Sequence, residues 1–238
     1  LHHSLALPDP WGTIVLGLAS LLWTLDCLVG FYLTTPRRVP GKPFMPRWKP
    51  AWLVRWSGPS IRVHLDLHRA AGLWLWAMLL VFAWSSVMFT LREPVFRPVM
   101  GLVLPFDDSW RTVPLREQPL LTPRLDWPAA QRAARDVMQD FARQHGLRID
   151  FEDQMWFDPA RGVYGYMVHS SADLRADAGN TAILIDADTG QLRGHWLPTR
   201  GALGNTVSNW LGALHMGHVF GLPYRVAIFF IGLIVVVL

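Results

Sequence analysis

Cysteine is nearly absent: Cys27 is the single one in 238 residues. One thiol cannot build a disulfide framework, a Cys-ligated zinc site or an iron–sulfur cluster. Gly-rich nucleotide loops, a nucleophile elbow and an HExxH zinc motif are missing too, so no hydrolytic chemistry is evident in the chain itself. Charged residues make up only 17% of the chain, and acid is missing altogether from one stretch. Residues 35–63 carry Arg37, Arg38, Lys42, Arg47, Lys49, Arg55 and Arg62 with no Asp or Glu.

Apolar residues are abundant, at 51%, with 13 Trp, and they cluster. Trp11 to Leu33 is apolar apart from Asp26, and Leu67 to Leu91 carries His68 and Arg69 only at its first end. Both exceed the roughly twenty residues that cross a bilayer. A third run, Val226 to Leu238, is about thirteen residues long and too short to span. Together with the lack of an initiator Met, it predicts a piece of a longer polypeptide ending inside a helix.

Short loops rich in Lys and Arg stay in the cytoplasm. Residues 92–221 instead balance 13 Arg against 15 Asp or Glu, so 35–63 is predicted to be cytoplasmic and 92–221 outside. Between two spans, a basic stretch sets orientation; nucleic acid is not expected as a partner. The fold class expected is a membrane α-helical bundle, three spans visible and the last truncated, with an inserted periplasmic α+β domain. The expected division is an outer interfacial segment (1–10), a transmembrane helix (11–34), a cytoplasmic basic loop (35–63) and a second transmembrane helix (64–91). The periplasmic domain (92–200), an outer interfacial helix (201–222) and the start of a third transmembrane helix (223–238) follow.

Asp9 and Pro10 read as an N-cap and first-turn proline of the first span. Pro36, Pro40, Pro43, Pro46, Pro50 and Pro59 are expected to keep the basic loop irregular. Trp11, Trp56, Trp110 and Trp210 read as an aromatic belt. In the outer domain, Trp127, Ala130, Ala134, Val137, Met138 and Phe141 repeat at helical spacing, which predicts a helix over Asp126–Gln144 ended by Gly146. Strand-like runs follow at Leu147–Phe151, Met155–Phe157, Val163–His169 and Thr181–Asp186, joined by turns at 158–162 and 188–190. Asn205–Phe220 is amphipathic and ends at Gly221-Leu222-Pro223, which fits an interfacial helix breaking into a span.

Nine histidines are present. His145, His169 and His195 lie in the outer domain with no spacing that suggests a site. The other six stand at span entrances: His2 and His3, His64 and His68, His215 and His218. An imidazole near hydrocarbon is costly to charge, is the commonest metal ligand, and serves as an axial ligand of haem iron. Residues i and i+4 of a helix point the same way, so His64 and His68 cannot grip both faces of one haem. Sidedness would allow one residue of His2/His3 and one of His215/His218 to bracket a haem at the outer face. At the inner face His64 or His68 would need a partner outside this chain. Bonding to headgroups or backbone carbonyls, or capture of copper or zinc by His2, His3, His215 and His218, fits the spacing equally. Asp26 inside the first span is a candidate to hold a ligand His, and Arg225 a candidate partner for a propionate or an anionic substrate.

Leu1-His2-His3-Ser4-Leu5, Leu67-His68-Arg69-Ala70-Ala71-Gly72-Leu73, Leu214-His215-Met216-Gly217 and Phe220-Gly221-Leu222-Pro223 resemble the PepSY-associated transmembrane helix family. The segment 126–196, with Asp186-Ala-Asp188-Thr189-Gly190, resembles a PepSY domain. The resemblance implies a bacterial inner-membrane protein binding haem b, one or two per full-length chain, through His2, His68 and His215. His3, His64 and His218 stand beside the pattern as alternates. For FoxB-type members it implies an oxidoreductase acting on ferric siderophores in the periplasm, fed by an electron donor that the sequence does not name. The competing expectation is a membrane-anchored PepSY module that binds or regulates a partner.

Overall fold

The computed structural model describes residues 5–8, 10–109 and 111–237. The chain divides into two compact units. One takes the residues up to Val99 together with those from Leu214 onward; the other is Met100–Ala213.

The first unit is helical. Helix α1 is Trp11–Thr34. Its cap position is held by Pro10 without a side-chain hydrogen bond, and Trp11 N–H donates to the Pro8 carbonyl (2.9 Å). Pro10 therefore stands one position earlier than expected, and Asp9 lies outside the described residues. Helix α2 (Phe44–Trp48) and a 3-10 turn (Lys49–Trp52) follow. The proline-rich basic segment is thus partly helical. Proline is tolerated in a first turn, where its missing N–H would be unpaired anyway.

Helix α3 is Ser60–Thr90. It begins well before the apolar run because Pro59 sets an extended backbone just ahead of it and the polar first turns still close their ladder. Hydropathy cannot see those turns. At 31 residues it is about 46 Å long, more than the roughly 30 Å of hydrocarbon. A π-helical turn (Arg92–Phe96) and the short helix α4 (Arg97–Gly101) extend the chain beyond it.

α1 and α3 pack on one another. The buried positions of α1 are small: Gly12, Gly17, Ser20, Thr24 and Cys27. Small residues let helix backbones approach closely where apolar burial alone gives no drive. A Cβ added to Gly17 would come within 2.5 Å of Leu91. The indole N–H of Trp76 donates to the Cys27 carbonyl (2.8 Å). On α3 the buried stripe Asp66, Ala70, Leu73, Ala83 and Val87 follows the spacing of one helix face.

The second unit builds a sheet under a helix. Helix α5 is Trp127–His145, capped by Asp126, whose carboxylate accepts from Ala129 N–H (2.8 Å). Gly146 ends it at φ 60°, the left-handed conformation glycine adopts freely. Strands β1 (Ile149–Asp158), β2 (Val163–Ser170), β3 (Thr181–Asp186) and β4 (Leu192–Trp196) form an antiparallel meander in sequence order. β1 is continuous where two runs were expected. Register shifts at Ile149/Phe151 and Glu152/Gln154 break the two-residue alternation that sequence reading relies on. β4 was not expected as a strand: Arg193, Gly194 and His195 have weak strand character, and Gly194 is suited instead to the close approach of the Ser109 carbonyl.

One sheet face and α5 enclose the core. Ala130, Ala134, Met138 and Phe141 meet Tyr166, Val168, Ile183 and Ile185, and the Tyr164 hydroxyl donates to the Leu125 carbonyl (2.8 Å). On the other face Trp156 lies over Gly165 directly across the strand pair, where a Cβ would find no room. Val113, Val163 and Leu184 complete that face.

Helix α6, Leu203–His215, ends earlier than the amphipathic run suggests, and helix α7 is Gly221–Val237. Between them Gly217 and Phe220 take positive φ, as does Gly221 at the start of α7, which closes a tight turn. α7 starts before Val226, with Pro223 in its first turn. Among the described residues two helices, α1 and α3, are long and apolar enough to cross a membrane; α7 is apolar but shorter.

Candidate functional site

The chemistry-bearing residues singled out by the sequence fall differently. His2 and His3 lie outside the described residues. His215 is the last residue of α6, set where the chain turns back toward α7. Its Nδ1 is 2.7 Å from the Ser85 hydroxyl of α3. Its ring stands edge-on between Phe82 (centroids 5.5 Å apart) and Phe89 (5.3 Å). Phe82, Ser85 and Phe89 share one face of α3 by helical spacing. Tyr224 of α7 tightens the same corner: its hydroxyl donates to the Leu214 carbonyl (3.0 Å) and lies 3.5 Å from the Met78 sulfur, on that face too.

The Ser85 contacts fix a tautomer. Ser85 is fully buried, and its Oγ is also 3.0 Å from the Phe82 carbonyl, which can only accept. Both contacts are satisfied together only if the hydroxyl donates to Phe82 and accepts from His215 Nδ1–H. In that tautomer the lone pair of the neutral ring is on Nε2, the nitrogen that would bind a metal. A ligating histidine held through its other nitrogen is the common arrangement at metal sites.

His64 and His68 are both exposed on α3, in its early turns. His64 Nδ1 lies 2.8 Å from the Ser60 carbonyl. By spacing, His64, His68, Leu75, Met78, Phe82, Ser85 and Phe89 run along one face of α3. His68 and Ser85 are seventeen residues apart, about 26 Å along the axis. One face of this helix therefore carries imidazoles near both ends, and no single ring could be bound by both. His218 is half-buried in the α6–α7 turn.

Asp26 is exposed on α1 and, among the described residues, hydrogen-bonds no histidine. Arg225 donates from Nε to the Gly217 carbonyl (3.0 Å). It thus closes the turn that carries His218, and the residue as a whole is exposed.

Sequence reading missed several partners. Ser85 left no signal beyond being one of two adjacent serines in an apolar run. The pair Asp66–Arg69 (2.7 Å) was also missed; Arg69 donates to the Ala51 and Pro50 carbonyls, and Asp66 accepts from Arg55 N–H. In the second unit His145 and His195 come together across Phe141, with ring centroids 6.0 Å apart. His195 Nε2 is 3.0 Å from the Asp107 carboxylate. Burial opposes ionisation of Asp107, but Ser109 N–H and hydroxyl and the neighbouring His195 outweigh it and hold the carboxyl below its ordinary range. His169 sits between Asp150 (2.9 Å) and the Arg175 carbonyl (2.7 Å), stacked on Phe151. Burial and the nearby Glu152 push the Tyr166 hydroxyl up to about 12. Among the described residues, no three His, Cys, Asp or Glu side chains gather closely enough to hold a metal ion.

Comparison with curated proteins gives no match. With two helices long and apolar enough to cross a bilayer, and a family model, PepSY-associated TM region, that matches residues 1–238, the chain is a membrane protein and belongs to that family.

Proposed function

We propose that this protein is a haem b-bearing electron-transfer protein of the bacterial inner membrane that reduces ferric siderophore iron at the periplasmic face. The observation that supports the reading is His215, whose Nδ1 lies 2.7 Å from the buried Ser85 hydroxyl in the tautomer that carries the ring's lone pair on Nε2.

The residues present fit such a group. Phe82 and Phe89 flank the His215 ring and limit its rotation. In this reading His2 and His215 would hold the group at the outer face, with His3 and His218 as alternates. His68, with His64 as its alternate, serves a second group at the other end of α3. Arg225, already anchored by Nε on Gly217, would offer its terminal nitrogens to a propionate. Haem supplies reversible one-electron chemistry and no proton transfer. No acid or base is required of the chain, because adding one electron to chelated Fe³⁺ gives Fe²⁺, which siderophores hold far less tightly. A bulky ferric chelate suits a shallow surface better than a deep pocket, and a ligand at a span entrance would put the group close to that surface.

Orientation follows from charge. With seven cations and no acid in 35–63, that segment is assigned to the cytoplasm and the sheet unit to the periplasm.

The test uses the full-length purified protein, reduced chemically and freed of reductant, then mixed with a ferric siderophore and a ferrous-iron chelator. Haem reoxidation with coloured ferrous chelate is expected. A haem that stays reduced across a panel of ferric siderophores yet reoxidises with another acceptor would refute the siderophore assignment. A protein without haem would refute the electron-transfer reading itself.

A further inference from the structure

The basic segment between α1 and α3 is a folded collar. From α1 the chain passes Thr35 and returns to pack on both helices. The Trp48 indole donates to the Thr34 hydroxyl (3.3 Å), and its ring meets Phe31 edge-on (5.6 Å). Trp52 meets Trp74 (5.3 Å), and Trp74 in turn donates to the Trp52 carbonyl (3.1 Å). Arg69 donates to the carbonyls of Ala51 and Pro50 (3.2 Å each) while paired with Asp66 (2.7 Å). The single acid near the collar is thereby taken up by Arg69 and by Arg55 N–H (3.3 Å).

What remains outside is a surface of two kinds of group. Arg37, Arg38, Lys42, Lys49, Arg55 and Arg62 are exposed and Arg47 is half-buried; none makes an ion pair among the described residues. Between them stand exposed apolar side chains: Phe44 at 44%, Met45 at 65%, Leu53 at 51% and Trp56 at 74%. The position matches a bilayer border. Ser60 to Arg69 rises about 14 Å along α3 before the uncharged apolar stretch begins, enough to cross a headgroup layer of about 5–8 Å and reach the water beyond it. Both ends of the collar are tied to helices of membrane-spanning length, so its surface stays at that depth.

We infer that the collar is a docking surface for acidic phospholipid, with Phe44, Met45, Leu53 and Trp56 entering the acyl boundary and the cations pairing with headgroup phosphates. Charge complementarity selects this occupant: unneutralised cations interleaved with apolar side chains at a membrane border match an anionic lipid leaflet. This goes beyond orientation. Charge count alone would act equally in a disordered loop, whereas a collar fixed by Trp48, Trp52 and Arg69 holds its cations in one arrangement. Each cation near an anionic surface is worth roughly a fivefold factor in association, so removing three neighbours should cost on the order of 100-fold.

The test reconstitutes the full chain in phosphatidylcholine vesicles doped with spin-labelled phosphatidylglycerol or spin-labelled phosphatidylcholine. The protein-associated fraction of each label is read by electron spin resonance. The native protein should associate preferentially with phosphatidylglycerol. The triple variant Arg37→Gln/Arg38→Gln/Lys42→Gln should lose most of that preference, and a charge-matched control in the sheet unit, Arg132→Gln/Arg143→Gln/Arg193→Gln, should keep it. Raising the salt should weaken the native preference toward that of the collar variant. Equal association of the two lipids with the native protein, or equal loss in collar variant and control, would overturn the inference. So would tight binding of a single-stranded oligonucleotide to the vesicle-embedded protein that disappears in the collar variant.

Discussion

Replacing Ser85 by Ala deletes one hydroxyl from a fully buried position. That hydroxyl lies 2.7 Å from His215 Nδ1. Without it the imidazole keeps its flanking rings but loses the group that selects its tautomer. A buried donor stripped of its acceptor costs about 1–3 kcal/mol, equivalent to about 5–150-fold in an equilibrium constant. This agrees with the roughly 10–100-fold loss seen when an outer partner of a metal ligand is removed. Haem affinity, measured by titrating haem-depleted full-length protein and reading the visible bands, should therefore fall about 10–100-fold. The Nδ1–H···O bond also makes Nε2 more basic and favours the ferric state, so the midpoint potential of what remains bound should move in the positive direction. Ser86→Ala is the control. Ser86 sits beside Ser85 and bonds the same Phe82 carbonyl (2.8 Å), but it has no recorded bond to His215. Unchanged affinity and potential in Ser85→Ala, or the same changes in Ser86→Ala, would refute the tautomer argument.

His68→Ala should reduce haem content without altering the spectrum assigned to His215; pyridine haemochrome analysis of both variants checks that two sites are involved. Cys reporters at Ser57 and Ser171, in a Cys27→Ser background, should label from opposite sides of the membrane, and labelling from one side would reverse the orientation scheme. Asp126→Ala removes the cap of α5 and should lower the stability of the sheet unit by about 1 kcal/mol, read as a shift of its transition in near-ultraviolet circular dichroism of the full chain. Asp107 and Asp186 are both held below the ordinary carboxylate range despite burial, Asp186 by the N–H groups of Asp188 and Thr189 and by Arg193. A depressed folded-state value means the stabilisation is full above the unfolded value of about 4 and is lost as pH falls through the folded one. The sheet unit should therefore weaken progressively below about pH 4, and Asp107→Asn should flatten that acid limb.

The long elements were legible because their signals are local. Apolar runs mark α1 and the greater part of α3, and α5 announces itself through its periodic stripe, the Asp126 cap and Gly146. What escaped depends on contacts distant in sequence. The first turn of α3, residues 60–63, read as loop, and although Asp66 and Arg69 fell within the expected helix, nothing local marked them as the anchor on which the basic collar folds. β4 has poor strand residues and exists because β3 offers it an open edge and Gly194 lets the Ser109 carbonyl approach. At the candidate site, sequence reading drew attention to His215 and missed its support. Ser85 lies 130 residues away, and one serine in an apolar helix looks like any other until His215 is seen against it.

The most direct test of the account is the visible absorption spectrum of the purified full-length protein, oxidised and reduced, beside that of its His215→Ala variant. The account predicts an intense band near the blue edge of the visible and sharp reduced bands in the native protein, with one haem per chain lost in the variant while membrane insertion persists. Full haem content in His215→Ala, and still in the double variant His215→Ala/His218→Ala, would contradict it.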